Sequence, residues 1–126
     1  MAERRRSIHT GHRQRVKDEF SARGLAGWPD HRVLELLLYY AIPQGDVNGL
    51  AHELVERFGS LAGVLDAAEE ELCRVPGVGQ HTAVLLKLIP AAGARYLQSR
   101  ADLGEPVRRT EDAYALLEPY FFGARN

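Results

Sequence analysis

The most apolar stretch of the chain runs from Val33 to Ile42 and is interrupted only by Glu35. It is too continuous for a surface helix, and it predicts a central helix over 31–41 buried on most sides. Asp30, just before it, is a suitable N-cap. Pro43-Gln44-Gly45-Asp46 reads as a turn. Beyond it, Val47, Leu50, Ala51, Leu54, Val55 and Phe58 recur at i, i+3, i+4, i+7, i+8 and i+11, the cleanest amphipathic helix in the chain. Gly59 stands where such a helix ends. Ser60 is placed to cap a short helix carrying Leu61, Val64 and Leu65. Asp66 with Glu69 resembles a capping box for a helix over 67–74 whose inner face is Leu72 and Val75. After Pro76-Gly77-Val78-Gly79 comes a long apolar helix from about Gln80 to Ser99, with a kink expected near 86–90 because Pro90 cannot donate to the Leu86 carbonyl. Gly93 weakens that helix further.

The flanks are more polar. Residues 1–8 read as a disordered basic arm, and 9–23 as a first helix in which Val16 and Phe20 are spaced i, i+4. Gly24 to Pro29 reads as a loop. Residues 100–110, with Gly104 and Pro106, read as a linker, and 111–119 as one more short helix. Pro119-Tyr120-Phe121-Phe122-Gly123 is an apolar end, and a strand is expected nowhere except 120–122. No stretch keeps up the period-2 alternation of a half-buried strand. The fold class is therefore all-α, a compact bundle of about five short helices.

A length of 126 residues with 45% apolar and 26% charged residues fits one globular domain. No apolar run approaches the roughly 20 residues of a membrane span. The Arg-rich start has no apolar core behind it, so a secretory signal is not expected, and a cytoplasmic location is. Cys73, the single cysteine, excludes an internal disulfide and a multi-cysteine zinc site. The net charge of −1 hides an asymmetry: residues 1–23 hold seven basic and three acidic residues, the rest nine basic and fourteen acidic. A basic head on an acidic body fits either an anionic partner or attraction between the two ends.

The informative segment is Val75-Pro76-Gly77-Val78-Gly79-Gln80-His81-Thr82-Ala83. Helix, Gly-apolar-Gly, helix, with a small residue four positions on, is the helix-hairpin-helix pattern. The glycines allow unusual backbone angles and close approach. Val78 is expected to pin the turn to the core, and Ala83 to let the helices pack tightly. The amides of Gly77, Gly79 and Gln80 then face outward at a helix N-terminus, a site for a phosphate oxygen. Such contacts position a protein on nucleic acid without reading sequence. Gln80, His81 and Thr82 can add hydrogen bonds; Arg74 and Lys87 are the neighbouring cations. A tight interhelical turn with no ligand is the plainer reading. Helices 31–41 and 47–58 look like a degenerate second copy, with Pro43 and Asp46 in place of the glycine turn; tandem copies can grip both strands of a duplex.

His9, His12, Arg13 and Arg15 on the basic first helix are further candidates for phosphate contact; a solvated or intramolecular role is the alternative. His9 and His12 lack a third ligand for a metal. Cys73 reads as a small core residue, Glu35 as an acid satisfied by an arginine or a capping amide, and Trp28, Tyr39 and Tyr40 as packing residues. There is no nucleophile with a base at readable spacing, no paired-carboxylate site and no nucleotide-binding loop. No enzyme activity, cofactor or metal is expected.

The segments His9-x-Gly11-His12-Arg13-x-Arg15, Leu34 through Pro43, Asp46-Val47-Asn48, Arg57-Phe58-Gly59-Ser60-Leu61, Val75-x-Gly77-Val78-Gly79, Leu85-Leu86-Lys87 and Arg95-Tyr96 together resemble the N-terminal region of the bacterial RadC family, over about residues 7–98. The family carries the name DNA repair protein. The resemblance implies a tandem helix-hairpin-helix domain over 9–99 and a following JAMM/MPN metalloprotease-like domain, of which 111–126 reads as a truncated start. That domain's His-x-His metal motif does not occur here, so its hydrolase chemistry does not carry over. The expected function is a sequence-independent DNA-binding module linked to repair. The alternative is an interaction or regulatory scaffold that accompanies the metalloprotease-like domain and binds no DNA. The apolar C-terminal end is a candidate for a protein partner or self-association, and no membrane partner is expected.

Overall fold

A computed structural model describes residues 2–104, with side chains from Gly11 onward. The described residues are helical and form an all-α bundle of six helices: α1 Ala2–Arg23, α2 Asp30–Ala41, α3 Asn48–Phe58, α4 Leu61–Asp66, α5 Glu69–Cys73 and α6 Gln80–Asp102. The core is built as the apolar spacing requires. Leu34, Leu36, Leu38 and Tyr39 of α2 meet Ala51 and Leu54 of α3, Val64 of α4, Leu72 of α5, and Ala83 and Leu86 of α6. α2 packs on α3 and α5 on α6, and α4 touches α2, α3 and α6.

Boundaries follow from local chemistry. Gly59 adopts φ 91° and closes α3, donating its amide to Val55 O at 2.7 Å. Ser60 Oγ accepts from Gly63 N at 2.9 Å at the start of α4. Asp30 departs from the expected role. It is the first residue of α2 rather than its cap, and its Oδ2 accepts from the Leu61 amide of α4 at 2.8 Å. The capping box at Asp66 does not form either. Asp66 still belongs to α4, and α5 begins at Glu69 behind Ala68, with no side-chain cap.

Four further expectations change. α1 extends from Ala2, through the residues read as a basic arm. α6 runs through Pro90 to Asp102, past the expected end and into the residues read as a linker. Cys73 is exposed, because Leu72 and Val75 occupy the inner face beside it. Tyr40 is 64% exposed, while Tyr39 is buried. The expectations for 105–126, namely the rest of the linker, the short helix and the apolar end, lie outside the described residues.

Candidate nucleic-acid interface

The turn between α5 and α6 is made by three short hydrogen bonds: Arg74 N to Glu71 O, Val75 N to Leu72 O, and Val78 N to Val75 O at 3.0 Å. Val75 and Val78 are buried and hold the turn against the core, as their spacing predicts. Gly77 has φ 96°, a backbone region that L side chains rarely adopt. A Cβ built on it would sit 3.6 Å from Leu50 Cδ2, an ordinary contact, so conformation and not space requires glycine there.

Gly79 differs. Its φ of −93° and ψ of 178° are open to any residue, and a Cβ on it would meet nothing within 4 Å. The expectation that both glycines are needed for backbone angles therefore holds for Gly77 alone. At Gly79 the missing side chain leaves open space directly in front of the N-terminus of α6.

The amide of Val78 is spent inside the turn, whereas those of Gly77, Gly79 and Gln80 have no acceptor among the described residues. They lie in the turn and at the start of a 23-residue helix, beside exposed Arg74, Gln80 and His81. Thr82 does not join them: it is buried, 4% exposed, because it falls on the core side next to Ala83. Lys87 is half-buried, and its Nζ donates to Leu65 O at 3.1 Å at the end of α4. This bond ties α6 to the end of α4. The acidic run Glu69, Glu70 and Glu71 is exposed on α5, in the same helical pair as the turn.

The candidates on α1 lie elsewhere. α1 packs on α2. Arg13 donates Nη1 to Ile42 O at 2.7 Å and to Tyr39 O at 3.3 Å, and Nη2 to Gly45 O at 2.8 Å. Those carbonyls end α2 and begin the turn after it. Arg13 is a C-terminal cap supplied by another helix, which is the intramolecular alternative expected for it. His12 Nε2 lies 3.7 Å from Glu35 Oε2. Glu35 is 4% exposed, and its partner is this histidine rather than the arginine or capping amide expected. Beside it, burial foremost and then the Glu35 charge push the Tyr39 hydroxyl up to about 12. Arg15 is exposed; the side chain of His9 lies outside the described ones.

The turn between α2 and α3 is held by two side chains of opposite charge. Arg13 takes its carbonyls, and Asp46 Oδ1 accepts from Asn48 N at 2.9 Å. Arg13's part had no local signal: its acceptors are main-chain carbonyls 26 to 32 residues away. Only a contact map brings them together.

Among the described residues no three His, Cys, Asp or Glu are grouped to hold a metal ion, and no helix is long and apolar enough to cross a membrane.

The chain is similar in sequence to several bacterial proteins. A UPF0758 protein of Fusobacterium nucleatum is 38% identical over 79 residues, which are 63% of this chain and 34% of that protein. A UPF0758 protein of Ruegeria pomeroyi is 39% identical over 89 residues, 71% of this chain and 40% of the relative. One from Rhodobacter capsulatus is 39% identical over 92 residues, 73% of this chain and 42% of the relative. The chain thus matches well under half the length of each. No family model matches the chain, and no solved structure does.

Proposed function

We propose that this chain is a helix-hairpin-helix module of a RadC-like protein that holds one strand of a nucleic-acid backbone through the α5–α6 turn. The observation that carries the reading is Gly79. Neither its backbone angles nor its surroundings require glycine, yet a side chain there would stand before the unpaired amides of Gly77, Gly79 and Gln80. A phosphate oxygen fits donors of this kind, and Arg74, Gln80 and His81 supply the flanking contacts. The α2–α3 turn suits an anion less well, since the Asp46 carboxylate stands in it and takes the amide of Asn48. Binding is therefore one-sided and independent of sequence, with DNA repair as the process that the resemblance suggests and the bacterial cytoplasm as its place.

Fluorescence anisotropy with a labelled single strand and the matched duplex, over a salt series, tests this. Weak binding is expected in low salt, with log K falling by about 0.9 per neutralised phosphate for duplex and about 0.7 for a single strand. Gly79→Val is expected to abolish it in a folded protein. Absence of binding in low salt, or a zero slope, refutes the reading.

One observation favours a second reading, in which the module is a scaffold for a following metalloprotease-like domain. Arg13 and Lys87, two of the four cations that would join into a positive patch with Arg15 and Arg74, are both consumed by main-chain carbonyls. If only the longer protein shows an activity and Gly79→Val leaves that activity intact, this reading stands in place of the first.

A further inference from the structure

Among the described residues, α1 is held to the bundle mostly by polar and charged contacts. Of the described side chains of α1, Val16 alone enters the core. Phe20, the other large apolar residue at the expected spacing, is 40% exposed. What otherwise holds α1 is charge. Arg13 reaches three carbonyls, His12 faces Glu35, and Glu19 Oε2 pairs with Arg32 Nη2 at 3.2 Å. Lys17 Nζ sits 4.7 Å from the centre of the Tyr40 ring, and the Arg13 guanidinium 4.7 Å from that of Tyr39. Exposed ion pairs and cation–π contacts contribute little each. Residues 11–23 of α1 have one buried apolar anchor, and a segment held so belongs to the less stable part of a fold, the part that opens first.

The same contacts withhold positive charge. Docked, α1 commits Arg13, Lys17 and, when protonated, His12 to the body; Arg15 is exposed, with no partner among the described residues. Undocked, all four would stand on one detached basic segment.

We propose that α1 is a detachable strap: it opens as a unit while α2–α6 stay folded, and its docking holds His12, Arg13 and Lys17 back from an anionic partner. The opening stands on the packing alone; the withholding rests on the phosphate-binding reading above. A polyanion that engages these side chains must then compete with the carbonyls of Ile42 and Gly45 and with Glu35, so binding shifts α1 toward the open state.

Hydrogen exchange of the full chain, read by mass spectrometry, tests both parts. Without nucleic acid, amides of residues 13–22 are expected to exchange at least about tenfold faster than the central amides of α2 and α3. Val16→Ala should speed exchange in α1 alone, and Leu54→Ala chiefly in α2 and α3. Exchange of α1 and the core through one common opening, shifted equally by either variant, overturns the strap. With a saturating single-stranded oligonucleotide, faster exchange in α1 supports the withholding, and slower or unchanged exchange overturns it. Anisotropy on the same sample separates the two failures. An oligonucleotide that binds without releasing α1 refutes the withholding, whereas one that does not bind refutes the phosphate reading and leaves the strap to the first comparison.

Discussion

Arg13 on α1 donates to the carbonyl of Ile42 at 2.7 Å, closing the end of α2 with a side chain from a helix that precedes it. The same guanidinium reaches Gly45 O, so one residue fixes both the helix end and the turn that follows. Only a planar fork with several donors can do this, and a lysine cannot.

Arg13→Ala and Arg13→Lys are therefore both expected to destabilise the fold, Ala by about 1–3 kcal/mol, from lost hydrogen bonds to partly buried carbonyls. Urea denaturation measures it. A lysine variant as stable as the wild type would show that the fork geometry is immaterial.

The two glycines of the α5–α6 turn should separate. Gly77→Ala forces a side chain into φ 96° and is expected to cost about 1–3 kcal/mol. Gly79→Ala meets open space and ordinary angles, and its cost should stay below about 1 kcal/mol, the loss of a favourable N-cap residue. Thermal melts of the pair check the order; equal losses would contradict it.

Tyr39 gives the fold a limit at alkaline pH. Its hydroxyl is held at about 12, above the unfolded value of 10, so the native state keeps a proton that the unfolded state gives up. That contribution is complete below pH 10 and is lost as pH rises through 10 toward 12. Tyr39→Phe should flatten the fall of melting temperature over this range. At neutral pH its effect should be small, below about 1 kcal/mol, because the hydroxyl makes no hydrogen bond of good geometry among the described residues.

α4 has two caps from different places, Ser60 Oγ on Gly63 N and Asp30 Oδ2 on Leu61 N. Each of Ser60→Ala and Asp30→Ala is expected to cost about 1 kcal/mol. The double variant, measured by denaturant titration, should cost more than either single change. Asp30→Ala without effect would remove the long-range cap.

Periodicity alone, by contrast, marks the amphipathic face of α3 and the buried α2, because each records how one helix divides its own residues between core and water. Gly59 and Ser60 are legible for the same reason: a left-handed C-cap and an N-cap hydroxyl act within three or four residues. The α5–α6 turn is equally local, and Val75, Val78 and Ala83 are buried where their spacing puts them.

Other positions could not be read along the chain. Thr82 and Cys73 exchange their expected environments because one step around a helix decides which side faces the core. Arg13, Lys87 and Asp30 look like surface charges or local caps in sequence, yet each finds a main-chain partner more than twenty residues away. A charged side chain is drawn to whichever unsatisfied carbonyl or amide the fold brings within reach, and that proximity is a property of packing. The sequence by itself thus set the helices, their buried faces and the glycine bend. Tertiary structure alone decided which cations remain free to meet an anion, because main-chain groups left over at helix ends compete for the same charges.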